Sequence, residues 1–191
     1  MKRKNIAIFA SGEGTNAQNI IDFFKTSDTI NIALIVSNKS TANVLNRAKQ
    51  ANIPSILINR VDFYDSNKTI EQLNSFNIDF IILAGFLWMI PENLIKAYPN
   101  KIINIHPALL PKFGGKGMYG MKVHYAVIEA KEKESGISIH YVNEHYDEGK
   151  IISQHRCYIS ENETAETLAA KIHQLEYKFF PKVIEQVLLT K

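Results

Sequence analysis

The sequence predicts an α/β fold: a three-layer, Rossmann-like and mostly parallel sheet with helices on both faces, plus antiparallel strands in the C-terminal part. Three observations carry this. Short β-branched apolar runs alternate with longer amphipathic segments as far as Ile105. The pattern breaks after Pro111 into a glycine-rich stretch. Beyond it, two further β-branched runs are separated by a single polar segment. Strand–helix–strand repetition implies right-handed crossovers and a parallel sheet covered on both sides.

Asn5–Ala10, Ile30–Val36, Ser55–Ile58, Phe80–Ala84 and Ile102–Ile105 read as buried strands, each bounded by turn residues. Between them, Asn16–Lys25, Ala42–Ala51, Thr69–Phe76 and Glu92–Ala97 read as helices. Ile20, Phe23 and Phe24 form the core-facing stripe of the first, and Val44, Leu45 and Ala48 that of the second. Lys112–Gly120 holds four glycines in nine residues and reads as a loop. A helix follows over Met121–Lys131. Gly136–Val142 and Ile151–Tyr158 read as a pair of strands, expected to be antiparallel. The last element runs over Thr164–Leu189 with Leu168, Ile172, Leu175 and Phe179 at helical spacing, and Pro181 is expected to kink or split it.

With 191 residues and 46% hydrophobic composition, the chain supports one well-packed core rather than two large domains. A net charge of +3, with no basic run longer than Lys2-Arg3-Lys4, argues against a nucleic-acid partner. Ile6–Ala10 is too short for a signal peptide, and no stretch approaches the roughly 18 apolar residues of a membrane span. One cysteine, Cys157, excludes an internal disulfide and suits a reducing cytoplasm. The six histidines show no metal-ligand spacing, so no metal is expected.

Three segments have the composition for chemistry. The first is Ala10-Ser-Gly-Glu-Gly-Thr-Asn16, between the first strand and the first helix. A glycine-rich turn there presents backbone N–H groups at a helix N-terminus, which favours an anion. The spacing matches neither the three-glycine dinucleotide fingerprint nor the lysine-bearing nucleotide loop, so a phosphate monoester suits it better than NAD or ATP. An ordinary βα turn with a capping hydroxyl has the same composition, and the turn alone does not separate the two. The second is Asn104-Ile-His106-Pro107. Residues two apart share a strand face, so Asn104 and His106 project together while Ile103 and Ile105 pack. Pro107 ends the strand, which leaves an amide and an imidazole at the carboxyl edge, where open α/β sheets bind ligands. Such a pair suits the oxygen of a tetrahedral intermediate. The third is Asp147, which in isolation reads as a turn former.

Six segments in order resemble the folate-dependent formyltransferases, and within them the branch that formylates glycinamide ribonucleotide in purine synthesis. They are Ser11–Asn16, Ser37-Asn38, Leu83-Ala-Gly-Phe86, Asn104–Lys112, Gly136-Ile-Ser-Ile-His140 and Tyr146-Asp-Glu-Gly149. The resemblance spans nearly the whole chain and implies one formyltransferase domain over 1–191, its phosphate-binding half at about 1–100 and its folate-binding and catalytic half at about 101–191. It implies transfer of the formyl group of 10-formyltetrahydrofolate, the co-substrate, to the amine of glycinamide ribonucleotide, with no metal. Catalysis falls to Asn104, His106 and Asp147, with Asp147 favouring a cationic His106 and relaying a proton. Gly12, Glu13, Gly14, Thr15 and Asn16 become the phosphate cradle, and Glu176 contacts the acceptor's amine or ribose. Leu87, Trp88, Met89, Ile90, Asn104, Val142 and Asp147 line the folate pocket.

Glu176 lies one turn beyond Ile172, which suits a half-buried carboxylate at the site as well as an ordinary flank charge. The chain departs from the family at Trp88, where arginine is frequent, at the loop Phe113–Gly120, and at His173. The loop's contacts are therefore not transferable, although Lys116 suits an anionic ligand. A methionyl-tRNA formyltransferase is expected to carry a further basic C-terminal domain, and a formyltetrahydrofolate hydrolase an N-terminal regulatory one. A non-catalytic phosphate-ligand module would need the cradle alone and leave Asn104, His106 and Asp147 without a role.

Overall fold

The structure is a computed structural model that describes residues 3–190. Strands β1 (Lys4–Phe9), β2 (Ile30–Ser37), β3 (Ser55–Leu57), β4 (Phe80–Leu83), β5 (Ile102–His106), β6 (Glu134–Tyr141) and β7 (Ile151–Tyr158) form one sheet in the order β3-β2-β1-β4-β5-β6-β7. The first five pair in parallel; β6 runs antiparallel to β5, and β7 antiparallel to β6. The helices are α1 (Thr15–Phe24), α2 (Val44–Gln50), α3 (Arg60–Tyr64), α4 (Lys68–Ser75), α5 (Glu92–Ala97), α6 (Met121–Glu129) and α7 (Ala165–Leu189).

Strand parity sorts the core into two layers. Ile6, Ile8, Phe80, Ile82, Ile103 and Ile105 face a cluster that includes side chains of α1, α2, α6 and α7. Ala7, Phe9, Ile81, Leu83 and Ile102 face a second cluster that includes side chains of α3, α4 and α5. The expected three layers are present.

The helices depart from expectation in three places. In α1 the buried residues are Ala17, Ile20, Ile21 and Phe24, a spacing of three, four and seven that defines one face. Phe23 lies off that face and is 41% exposed, with its ring edge-on to Phe24. The five-residue α3 was not anticipated because its apolar content is too short to show a period; its start is marked by Asn59, whose side chain accepts from the Asp62 N–H at 2.9 Å. Pro181 does not split α7, which is continuous through it. A helix proline leaves the carbonyl four residues earlier without its N–H partner. That carbonyl, of Tyr177, accepts instead from Asn19 Nδ2 of α1 at 3.0 Å. The Leu110–Pro111 peptide is cis.

Candidate active site

The carboxyl ends of β1, β4 and β5 open into a cavity of about 760 Å³. Every residue singled out from the sequence lines it: Gly12 to Asn16, Leu87 to Ile90, Asn104, His106, Val142, Asp147 and Glu176. The cavity is assembled across the division at residue 100. Leu87–Ile90 come from the first half, while Glu176 and His124 of the second stand in the same cavity as the glycine-rich turn.

At the turn, Gly14 caps α1 with φ +68° and offers no side-chain cap hydrogen bond. A Cβ there would sit 2.7 Å from Val44, so the turn's path depends on glycine. The turn is braced from α2: Val44 N–H donates to the Gly12 carbonyl at 3.2 Å, and Arg47 Nε donates to that of Glu13 at 2.7 Å. The Glu13 carboxylate accepts from Asn43 Nδ2 at 3.1 Å, so the acid is tied to the second helix while the turn keeps its backbone donors. Asn16 Nδ2 donates to Glu176 Oε2 at 2.8 Å. Glu176 is only 5% exposed, deeper than the half-burial expected from its helical position. Burial raises its pKa; the Asn16 hydrogen bond and the His173 charge pull the other way without cancelling it.

The side chains at β5 converge on Asp147. Its Oδ1 lies 3.4 Å from Asn104 Nδ2 and 3.6 Å from His140 Nε2; its Oδ2 lies 3.5 Å from His106 Nδ1 and accepts the Gly115 N–H at 2.9 Å. Asp147 has φ +57° and Phe113 has φ +56°, left-handed values that cost on the order of 1–3 kcal/mol where a side chain is present. The Phe113 carbonyl accepts from His106 Nε2 at 2.8 Å. His140 stands opposite Asn104 in the β5–β6 register. Its Nδ1 donates to the Tyr141 carbonyl at 2.8 Å, so in the neutral ring Nε2 is an acceptor, and Asn104 Nδ2 donates to it at 3.0 Å.

Burial and charge act against each other at this cluster. Burial lowers the His106 pKa, and although Asp147 and the Phe113 carbonyl both favour the imidazolium, they do not overcome it. For Asp147 burial pushes upward, but its contacts with His140, His106 and the Gly115 N–H together hold the carboxyl below its ordinary value.

Two groups escaped the sequence reading. Within Gly136-Ile-Ser-Ile-His140, Ser138 and His140 interrupt an apolar strand at two-residue spacing, the same signal that marks Asn104 and His106. The short α3 brings Phe63 and Tyr64 against Trp88 at centroid separations of 5.7 and 5.9 Å, with the Arg60 guanidinium 5.1 Å over the indole. Trp88 is thus packed into an aromatic cluster at the Leu87–Ile90 wall. Ser11, buried at the start of the turn, joins the two walls by accepting the Leu87 N–H at 2.9 Å. Among the described residues, no group of three or more His, Cys, Asp or Glu side chains is arranged for a metal, and no helix is long and apolar enough to cross a membrane.

Comparison with known proteins agrees with this geometry. The family described as formyl transferase matches residues 4–184. A chloroplastic phosphoribosylglycinamide formyltransferase of Vigna unguiculata is 40% identical over 97% of this chain, which spans 61% of that relative's length. The phosphoribosylglycinamide formyltransferase of Bacillus subtilis is 39% identical, with 97% of this chain and 95% of that one covered. The crystal structure of the Bacillus halodurans phosphoribosylglycinamide formyltransferase superimposes with a TM-score of 0.87 at 37% identity, covering 97% of this chain and 95% of that one. A family match over nearly all of the chain and relatives of this identity establish the assignment: the chain belongs to the formyl transferase family.

Proposed function

We propose that the protein is a phosphoribosylglycinamide formyltransferase, moving the formyl group of 10-formyltetrahydrofolate to the amine of glycinamide ribonucleotide. The observation that carries this is the convergence of Asn104, His106 and His140 on one carboxylate, Asp147, in the same cavity as an anion-binding helix N-terminus. A binding module needs the second feature only. The acceptor's phosphate rests on the backbone of Gly12–Asn16, Glu176 holds its amine or ribose end, and the folate lies along Leu87–Ile90 and Val142.

The acceptor amine attacks the formyl carbon, forming a C–N bond and a tetrahedral oxyanion. Asn104 gives that oxygen the N–H that the resting site holds only loosely, 3.4 Å from Asp147. His106 gives the Nε2–H now spent on Phe113. A donor in this role contributes about 2.7–4 kcal/mol. Asp147, ionised because its carboxyl is held low, takes the proton of the attacking amine, directly or through water, and passes it to the folate nitrogen as the old C–N bond breaks. His140 fixes the Asn104 amide by accepting from it. Holding both reactants together supplies much of the remaining acceleration. The cytoplasm is the compartment this reading assigns, and a single cysteine suits it.

The test is a spectrophotometric assay of a 10-formyl folate donor with and without glycinamide ribonucleotide. Acceptor-dependent conversion, lost in His106→Ala, is the expected result. Donor breakdown without acceptor would make the protein a hydrolase and overturn the proposal.

A further inference from the structure

We propose that Lys116 is the charge partner of the acceptor's phosphate, reaching it from the glycine-rich loop rather than from the cradle. This rests on the functional reading above. A phosphate monoester carries nearly two negative charges near neutral pH. The turn Gly12–Asn16 answers them with neutral donors only, and the two acids beside it are engaged, Glu13 with Asn43 and Glu176 with Asn16. Two lysines line the cavity, Lys39 and Lys116, and neither has an acidic partner among the described residues.

Lys116 is distinguished by its setting. It lies between Gly115 and Gly117, at φ +95° and +90°, on a loop that the active site already holds at two points: the Phe113 carbonyl on His106 and the Gly115 N–H on Asp147. The helix that follows the loop brings His124 to the same cavity, 3% exposed and with no partner for Nδ1. Asn16 Oδ1 is a second buried polar atom without a partner there. Two orphaned buried groups lining one cavity are suited to a polar ligand there. Lys39 follows β2, where Ser37 fixes its backbone, and among the described residues no hydrogen bond or ion pair ties it to Asn104, His106 or Asp147. A phosphate bound by Lys116 therefore acts on the segment that occupies His106 and Asp147, and recognition of the charged end is tied to release of the catalytic groups.

The experiment compares glycinamide ribonucleotide with glycinamide riboside, which lacks the phosphate, in the parent, Lys116→Met, Lys116→Arg and Lys39→Met proteins. Lys116→Met is expected to lower kcat/KM for the ribonucleotide about tenfold to hundredfold, the range of a charged hydrogen bond. The riboside value should change less than twofold, and Lys116→Arg should recover most of the loss. Equal losses with both acceptors would make the residue merely structural and overturn the proposal. A loss confined to Lys39→Met would move the charge to the other loop and overturn it too. If the parent formylates neither acceptor, the functional reading fails instead. Calorimetric titration of ribose 5-phosphate then decides on Lys116 alone: weaker binding to Lys116→Met supports the assignment, and equal binding ends it.

Discussion

The two ends of the active-site cavity are built by opposite means. At the glycine-rich turn the main chain does the presenting: α1 starts on a left-handed glycine without a side-chain cap, and the second helix braces the turn through its carbonyls. At β5 the main chain is an ordinary strand, and three side chains converge on one carboxylate. A backbone site tolerates exchange of most side chains and is broken by a change of path. A side-chain site tolerates small changes of path and is broken by exchange of one atom.

That contrast can be broken most sharply at Asp147. Asp147→Asn keeps the shape and removes the base, so turnover is expected to fall by about 10²–10⁴ with substrate affinities within a few-fold, read from steady-state kinetics. Near-normal turnover would remove Asp147 from the proposed chemistry. The complementary break is Gly14→Val, which demands an unfavourable φ and places carbon against Val44. The KM for glycinamide ribonucleotide should rise on the order of tenfold, equivalent to about 1.4 kcal/mol, while the folate KM stays put. An unchanged acceptor KM would contradict the cradle.

Stability sharpens the comparison further. Burial of His124 lowers its pKa to about 4, with the His173 and His106 charges adding to the effect. A depressed histidine binds more protons unfolded than folded, so its contribution is full above pH 6.5 and is lost as pH falls toward 4. Urea unfolding at pH 7 and pH 4.5 should show an acid loss that shrinks by on the order of 2 kcal/mol in His124→Gln. An identical pH dependence in the two proteins would refute the assignment. The smallest effect is expected at Asn19→Ala, which unpairs a partly solvated carbonyl and should cost about 0.5–1 kcal/mol in the same assay at neutral pH.

The same contrast explains what the sequence revealed. The parallel half was legible because its strands are short, mostly apolar runs and each long helix shows one stripe. Asn104 and His106 were legible because they interrupt such a run. The convergence on Asp147 was not, since a loop aspartate carries no periodic signal and its left-handed backbone depends on contacts from β6 and the glycine-rich loop. Phe23 was misplaced because adjacency to Phe24 resembles a stripe, whereas a helix turns 100° between them. The downward pull on the His106 pKa comes from burial, which neighbouring residue types alone do not report.

Pro181 has a consequence for how the last helix docks. In an ordinary amphipathic helix every turn offers much the same ridge, so sliding by one turn, about 5.4 Å, repeats the contacts with little change. Here one carbonyl, that of Tyr177, has no helical N–H to receive, and Asn19 is placed for it in a single alignment. The proline thus works as an index mark on α7. Because Glu176 is the neighbouring residue, the alignment that satisfies the carbonyl is also the one that sets the buried acid opposite Asn16.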